Sequence, residues 1–178
     1  DWSESLALKY GTLPGVINLK SQLEKKKLLY SYSNTYLKEE ILAEALVRGV
    51  DGFVRFLSEA AITAGTYLDY SKLAKKAKIP RQSAVRHFEI LEDTLIARKI
   101  QNDPDLDEQS CDLVKHPRFY LFDLGVRNAL CGSFDAASDR IGLMWEHLVF
   151  NQICNSANSQ SAMIDIYSFR TRGGLEVD

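Results

Sequence analysis

Residues 71–99 read SKLAKKAKIPRQSAVRHFEILEDTLIARK, and their pattern decides the fold. Leu73, Ala74 and Ala77 recur at helical spacing behind Ser71, a residue suited to cap a helix N-terminus. Ile79-Pro80 ends that helix, because the residue before a proline is driven out of the α region. A second helix is predicted to carry Ala84, Phe88, Leu91 and Leu95 on one face, spaced four, three and four apart. Gln82, Ser83, Arg86 and His87 share the opposite face, and all four can hydrogen-bond. Ile96–Ile100 then alternates apolar and polar residues, as a strand does. Two helices, a tight turn and a strand make the pattern of a winged helix-turn-helix.

Charge follows the same boundaries. Residues 70–100 hold eight Lys or Arg against three acids, whereas 101–114 hold five acids and no base. A basic helix pair therefore precedes an acidic loop, expected as the tip of the wing, which would repel a phosphate backbone. The net charge of −2 over 178 residues points by itself to no partner.

Upstream, Ser21–Leu46 is expected as one long helix or two abutting ones, after a Gly- and Pro-bearing connection at 11–15. Gly49–Gly52 makes a break with Asp51 as the expected cap of the next helix, whose core face is Phe53, Phe56, Leu57, Ala60, Ala61 and Ala64. Downstream, Arg118–Phe122 is the returning strand. Asp123 is expected to cap a short helix through Leu130, and Ser133–Ser138 reads as a linker. Asp139–Asn155 is a second helix, with Ile141, Met144, Trp145, Leu148, Val149 and Ile153 towards a core, followed by a polar loop at 156–161. Ile164–Phe169 alternates as a strand, and Arg172-Gly173-Gly174 suits a hairpin turn. Tyr30, Tyr32 and Tyr36 suit helix packing better than base stacking.

No run approaches the roughly eighteen apolar residues that span a bilayer, and the first residues lack the pattern of a signal peptide, so a cytoplasmic protein without membrane contact is expected. Cys111, Cys131 and Cys154 are odd in number and widely spaced, which suits thiols in a reducing compartment. The chain starts without Met and stops within a strand-like pattern, as a fragment would.

Several segments together resemble a prokaryotic family of AAA-type ATPases that carry a winged helix followed by a restriction-endonuclease-like domain. They are LKYGTLPGV (8–16), SNTYLKEEI (33–41), SAVRHFEILEDTLIARKI (83–100), HPRFYLFDLGVRNALCG (116–132), GLMWEHLVFNQI (142–153) and IYSFRTRGGLEVD (166–178). The resemblance implies a mainly α protein with a small β part, an α+β class. Residues 1–48 would be the helical lid of the ATPase, 49–132 the winged helix and 133–178 the first part of the nuclease-like domain. The nucleotide-binding module would lie upstream in the same polypeptide. No GxxxxGK[ST] phosphate loop occurs here, so ATP and magnesium are expected for the full-length ATPase and not for this stretch, which should not hydrolyse ATP alone. Ring assembly of such ATPases makes a homo-oligomer an open expectation.

The DNA-contact candidates are Arg81, Gln82, Ser83, Arg86 and His87 for bases, with Lys72, Lys75, Lys76, Lys78 and Arg98 for phosphates. Pro80 departs from the Ser or Asn cap that often opens such a second helix. By resemblance, Glu146, Glu176 and Asp178 are nuclease-type carboxylates, a possible magnesium set at Asp178 included, and the rest of that set would lie beyond Asp178. Three functions stay open: a DNA-binding regulatory portion of an ATPase, a nuclease-like domain with a winged-helix targeting module, and a protein adaptor that binds no nucleic acid.

Overall fold

The computed structural model describes residues 2–36, 39, 50–102, 116–136, 138–170 and 176–177, with backbone alone at 36, 102, 170, 176 and 177. Residues 103–115 of the expected wing tip, the hairpin turn at 172–174, Asp178, and residues 37, 38 and 40–46 of the long N-terminal helical stretch fall outside them.

The chain is α+β: mainly helical, with one small mixed sheet. Helices α1 (Glu4–Tyr10), α2 (Pro14–Ile17) and α3 (Gln22–Ser31) come first, and α3 runs into a π-helical turn at Tyr32–Tyr36. Next are α4 (Val50–Thr63), α5 (Tyr70–Ala77), α6 (Arg81–Asp93), β1 (Ala97–Asn102), β2 (Arg118–Leu121), α7 (Leu124–Leu130), α8 (Ile141–Ser159), β3 (Tyr167–Arg170) and β4 (Glu176–Val177).

Helices α4, α5 and α6 close one apolar core. Phe53, Phe56, Leu57, Ala60, Ala61, Leu73, Ala77, Ala84, Phe88 and Leu91 are buried together, with Phe88 stacked 4.4 Å from Phe119 of β2. The expected core face of α4 is met in full, but Asp51 lies inside α4 instead of capping it. Asp69 caps α5 through the amides of Ser71 and Lys72, so the helix starts ahead of Ser71. Lys78 ends α5 in the left-handed conformation, and Pro80 opens α6 with no side-chain cap. Leu95 departs from expectation: α6 stops at Asp93, and Leu95 is 77% exposed at φ 59°. Ile90 is buried instead.

The sheet order is β2-β1-β3-β4. Strand β1 runs antiparallel to β2, pairing Ala97 with Leu121 and Lys99 with Phe119, and parallel to β3 through Gln101 and Tyr167. Tyr67 adds a bridge to Arg118 on the outer side of β2. Both faces of the β1–β2 ribbon are covered. Ala97, Phe119 and Leu121 face the helical core, while Ile100 and Tyr120 pack on Phe150 of α8. This is why Arg118–Leu121 is buried at every position instead of alternating.

Helix α8 runs on to Ser159, through residues expected as loop, with Ala157 buried. Its core face is Met144, His147, Leu148, Phe150 and Asn151, while Ile141, Trp145, Val149 and Ile153 stay partly exposed. Of the six residues of the expected stripe, only Met144 and Leu148 are buried. Within the expected linker, Phe134 is buried 5.7 Å from the Tyr10 ring and edge-on to Tyr30 at 5.3 Å.

Candidate nucleic-acid interface and the buried polar clasp

The solvent side of α5 and α6 carries most of the expected DNA-contact residues. Lys72, Lys75, Lys76, Lys78, Arg81, Gln82 and Arg86 are exposed, and Ser83 is half-buried. Lys72 lies 3.8 Å from Asp69, Lys76 lies 4.0 Å from Glu59, and Arg86 lies 3.2 Å from Glu89. The exposed Lys72 and Arg86 pairs hold their partners weakly, by under about 1 kcal/mol, while Glu59 is half-buried. Arg81 sits 6.0 Å above the Tyr70 ring, which restricts the guanidinium without neutralising it.

Two candidates are placed elsewhere. The His87 ring stands edge-on to Phe53 at 5.2 Å and tilts on Phe56 at 5.0 Å, and burial lowers its pKa. It borders the core because it follows Ala84 by three residues on α6. Arg98 points to the opposite side of the sheet and donates to Asn155 Oδ1 at 3.1 Å. Strand alternation sets this: Arg98 pairs with Tyr120, on the face that α8 covers.

Of the nuclease-type carboxylates, Glu146 is engaged inside the protein. Arg118 Nη1 donates to it at 2.9 Å and the Tyr120 hydroxyl donates to the same oxygen. Arg118 also donates through Nε to Gly65 O at 2.9 Å and lies over the Tyr67 ring. The backbone of Glu176 lies in β4, and Asp178 is outside the described residues. Among the described residues no three or more His, Cys, Asp or Glu come together as a metal site.

A second polar cluster was only partly foreseen. Asp123 caps α7 as expected, accepting from Val126 N at 3.0 Å, and also accepts from Thr12 N at 2.7 Å. Burial raises its pKa, and the amide donors of Thr12, Val126 and Gly125 oppose that rise. Asn128 donates to Leu8 O and Lys9 O, and Arg127 donates to Ala61 O at 3.0 Å. Any side chain at Gly11 (φ 72°) would be driven into the Asp123 carboxylate, and one at Gly125 into the Tyr10 carbonyl. The KYGT and FDLGVRN segments are therefore two halves of one clasp that joins α1, α4 and α7. Lys25, also buried, caps α2 by donating to Val16 O and Leu19 O under the Trp2 ring.

On the far side of β2, His147 Nε2 meets Leu121 O at 2.6 Å, and Asn151 Nδ2 donates to the same oxygen at 2.9 Å. Complete burial pushes the His147 pKa down to about 4, so the ring is neutral and donates its Nε2 proton. Cys131 and Cys154 are free and half-buried, with pKa values raised by burial, which leaves them as poor nucleophiles.

Residues 5–137 match the family described as a domain of unknown function, DUF8612. The chain belongs to the DUF8612 family. Neither the curated proteins nor the solved structures gave a match. The DUF8612 span holds all of α2–α7 and both halves of the clasp, and it stops ahead of α8. Among the described residues, no helix is long and apolar enough to cross a membrane.

Proposed function

We propose that the chain is a DNA-binding regulatory module in which α5 and α6 meet duplex DNA. On this reading α4–α6 with β1 and β2 form a winged helix-turn-helix belonging to a larger AAA-type ATPase, whose ATP and magnesium are handled by another part of the polypeptide. The observation that carries it is the exposed row of Lys75, Lys78, Arg81, Gln82 and Arg86 on two adjoining helices. Lys75, Lys78 and Arg81 have no ion-pair partner among the described residues. These are the side-chain types that neutralise phosphates and read guanine and adenine edges. Titrating a fluorescent random duplex at low salt tests it: the double change Arg81→Ala with Arg86→Ala should weaken binding at least about tenfold. Wild-type protein that leaves the duplex free would sink the proposal.

One observation favours a protein-binding reading as well. Trp145, Val149 and Ile153 line a groove of about 760 Å³ between α8 and the sheet, and all three are more than a third exposed. An adaptor would use such a surface. Glu146, held by Arg118 and Tyr120 on the rim of the same groove, is better suited to bracing the sheet against α8 than to activating water.

A further inference from the structure

We infer that the duplex is held by the α5–α6 pair alone, over one short stretch of a single groove, and that the β1–β2 ribbon takes no part in binding. This rests on the DNA-binding reading above and narrows it. Among the described residues the ribbon is largely covered, one side packed on the helical core and the other on α8, with Lys99 half-buried at its edge. Two of its three cations are committed inside the protein: Arg98 to Asn155 across that second interface, where it ties β1 to α8, and Arg118 to Glu146.

The exposed side of α6 also changes sign along its axis. Arg81, Gln82 and Arg86 occupy its first two turns, and Glu89, Glu92 and Asp93 its end. The Arg86–Glu89 contact at 3.2 Å marks the border. A phosphate laid along the last turn would meet three carboxylates with no cation between them. Only the first half of α6 is therefore suited to a groove, with Lys75, Lys76 and Lys78 of the preceding helix and turn available to flanking phosphates. Arg81 to Arg86 spans roughly 8 Å of helix, the rise of two to three base-pair steps. So short a site discriminates little between sequences, and the partner is duplex DNA bound mainly through its backbone.

The experiment uses the whole chain with labelled duplexes of about 6, 10 and 20 base pairs, compared by affinity per available site. The inference expects the affinity per site to level off by about 10 base pairs. Arg98→Met should leave it within about twofold, and Glu92→Gln with Asp93→Asn should raise it by about threefold. Circular dichroism keeps the Arg98 arm interpretable, because Met retains the packing of the stem. A further gain in affinity per site between 10 and 20 base pairs, or about a tenfold loss on Arg98→Met in a folded variant, would overturn the helix-only contact while leaving DNA binding intact. Wild-type chain that binds no duplex of any length would overturn both.

Discussion

His147 offers a pH-dependent test of how α8 is joined to the sheet. Its ring is buried on α8, with Nε2 on Leu121 O and in an edge-to-face contact with Tyr120 at 5.2 Å, and its pKa is about 4 instead of the ordinary 6.5. The unfolded chain takes up a proton below pH 6.5 that the folded chain refuses until about pH 4. The stability from keeping this ring neutral is therefore complete above pH 6.5 and is lost as pH falls towards 4, at about 1.4 kcal/mol per unit. From about pH 7.5 to pH 5 the loss is about 2 kcal/mol. Asp123 works in the opposite direction: its raised pKa burdens the fold at neutral pH and relieves it on acidification. Comparing wild type with His147→Gln removes that term and every other shared one. Urea unfolding of both proteins across this range is the assay. The stability gap between them should close by about 2 kcal/mol from pH 7.5 to 5. A gap constant to within about 0.5 kcal/mol would refute the neutral, proton-donating His147.

The clasp gives two further tests. Gly125→Ala should cost more than about 3 kcal/mol in chemical denaturation, because a methyl group there meets the Tyr10 carbonyl. Asp123→Asn keeps the size but offers one acceptor where two amides converge, and should lower stability by about 1–3 kcal/mol. Glu146→Gln leaves the Arg118 guanidinium buried beside a neutral acceptor and should lower the melting temperature, with about 1–3 kcal/mol lost. Leu95→Gly should raise the unfolding free energy slightly, by up to about 1 kcal/mol, since it relieves φ 59° at a side chain that is 77% exposed.

What could be read from the sequence was what local spacing controls. The α5 and α6 stripes through Leu73, Ala77, Ala84, Phe88 and Leu91 came from periodicity, and the Asp123 cap from its place before a short helix. Leu95 was misplaced because a four-residue step was continued past the last turn of α6, where no glycine marks the stop. The apolar residues of α8 lie on more than one side, so spacing alone could not say that His147, Leu148 and Asn151 turn inward while Trp145 and Val149 remain partly exposed. Contacts between distant segments left no local trace. Thr12 is 111 residues from Asp123, and Arg98 is 57 from Asn155. Asp123, Arg127 and Asn128, three polar residues within the otherwise apolar FDLGVRN segment, are the available sequence signal for the clasp.

The central claim is that cations of α5 and α6 neutralise DNA phosphates. The most direct measurement is the salt dependence of duplex binding between about 50 and 300 mM, for wild type and for Lys78→Ala with Arg81→Ala. With about four to five phosphates neutralised, log affinity against log salt should fall with a slope of about −4, and the double variant should flatten it by about 2. A slope near zero, or one that the double variant leaves unchanged, would contradict the account.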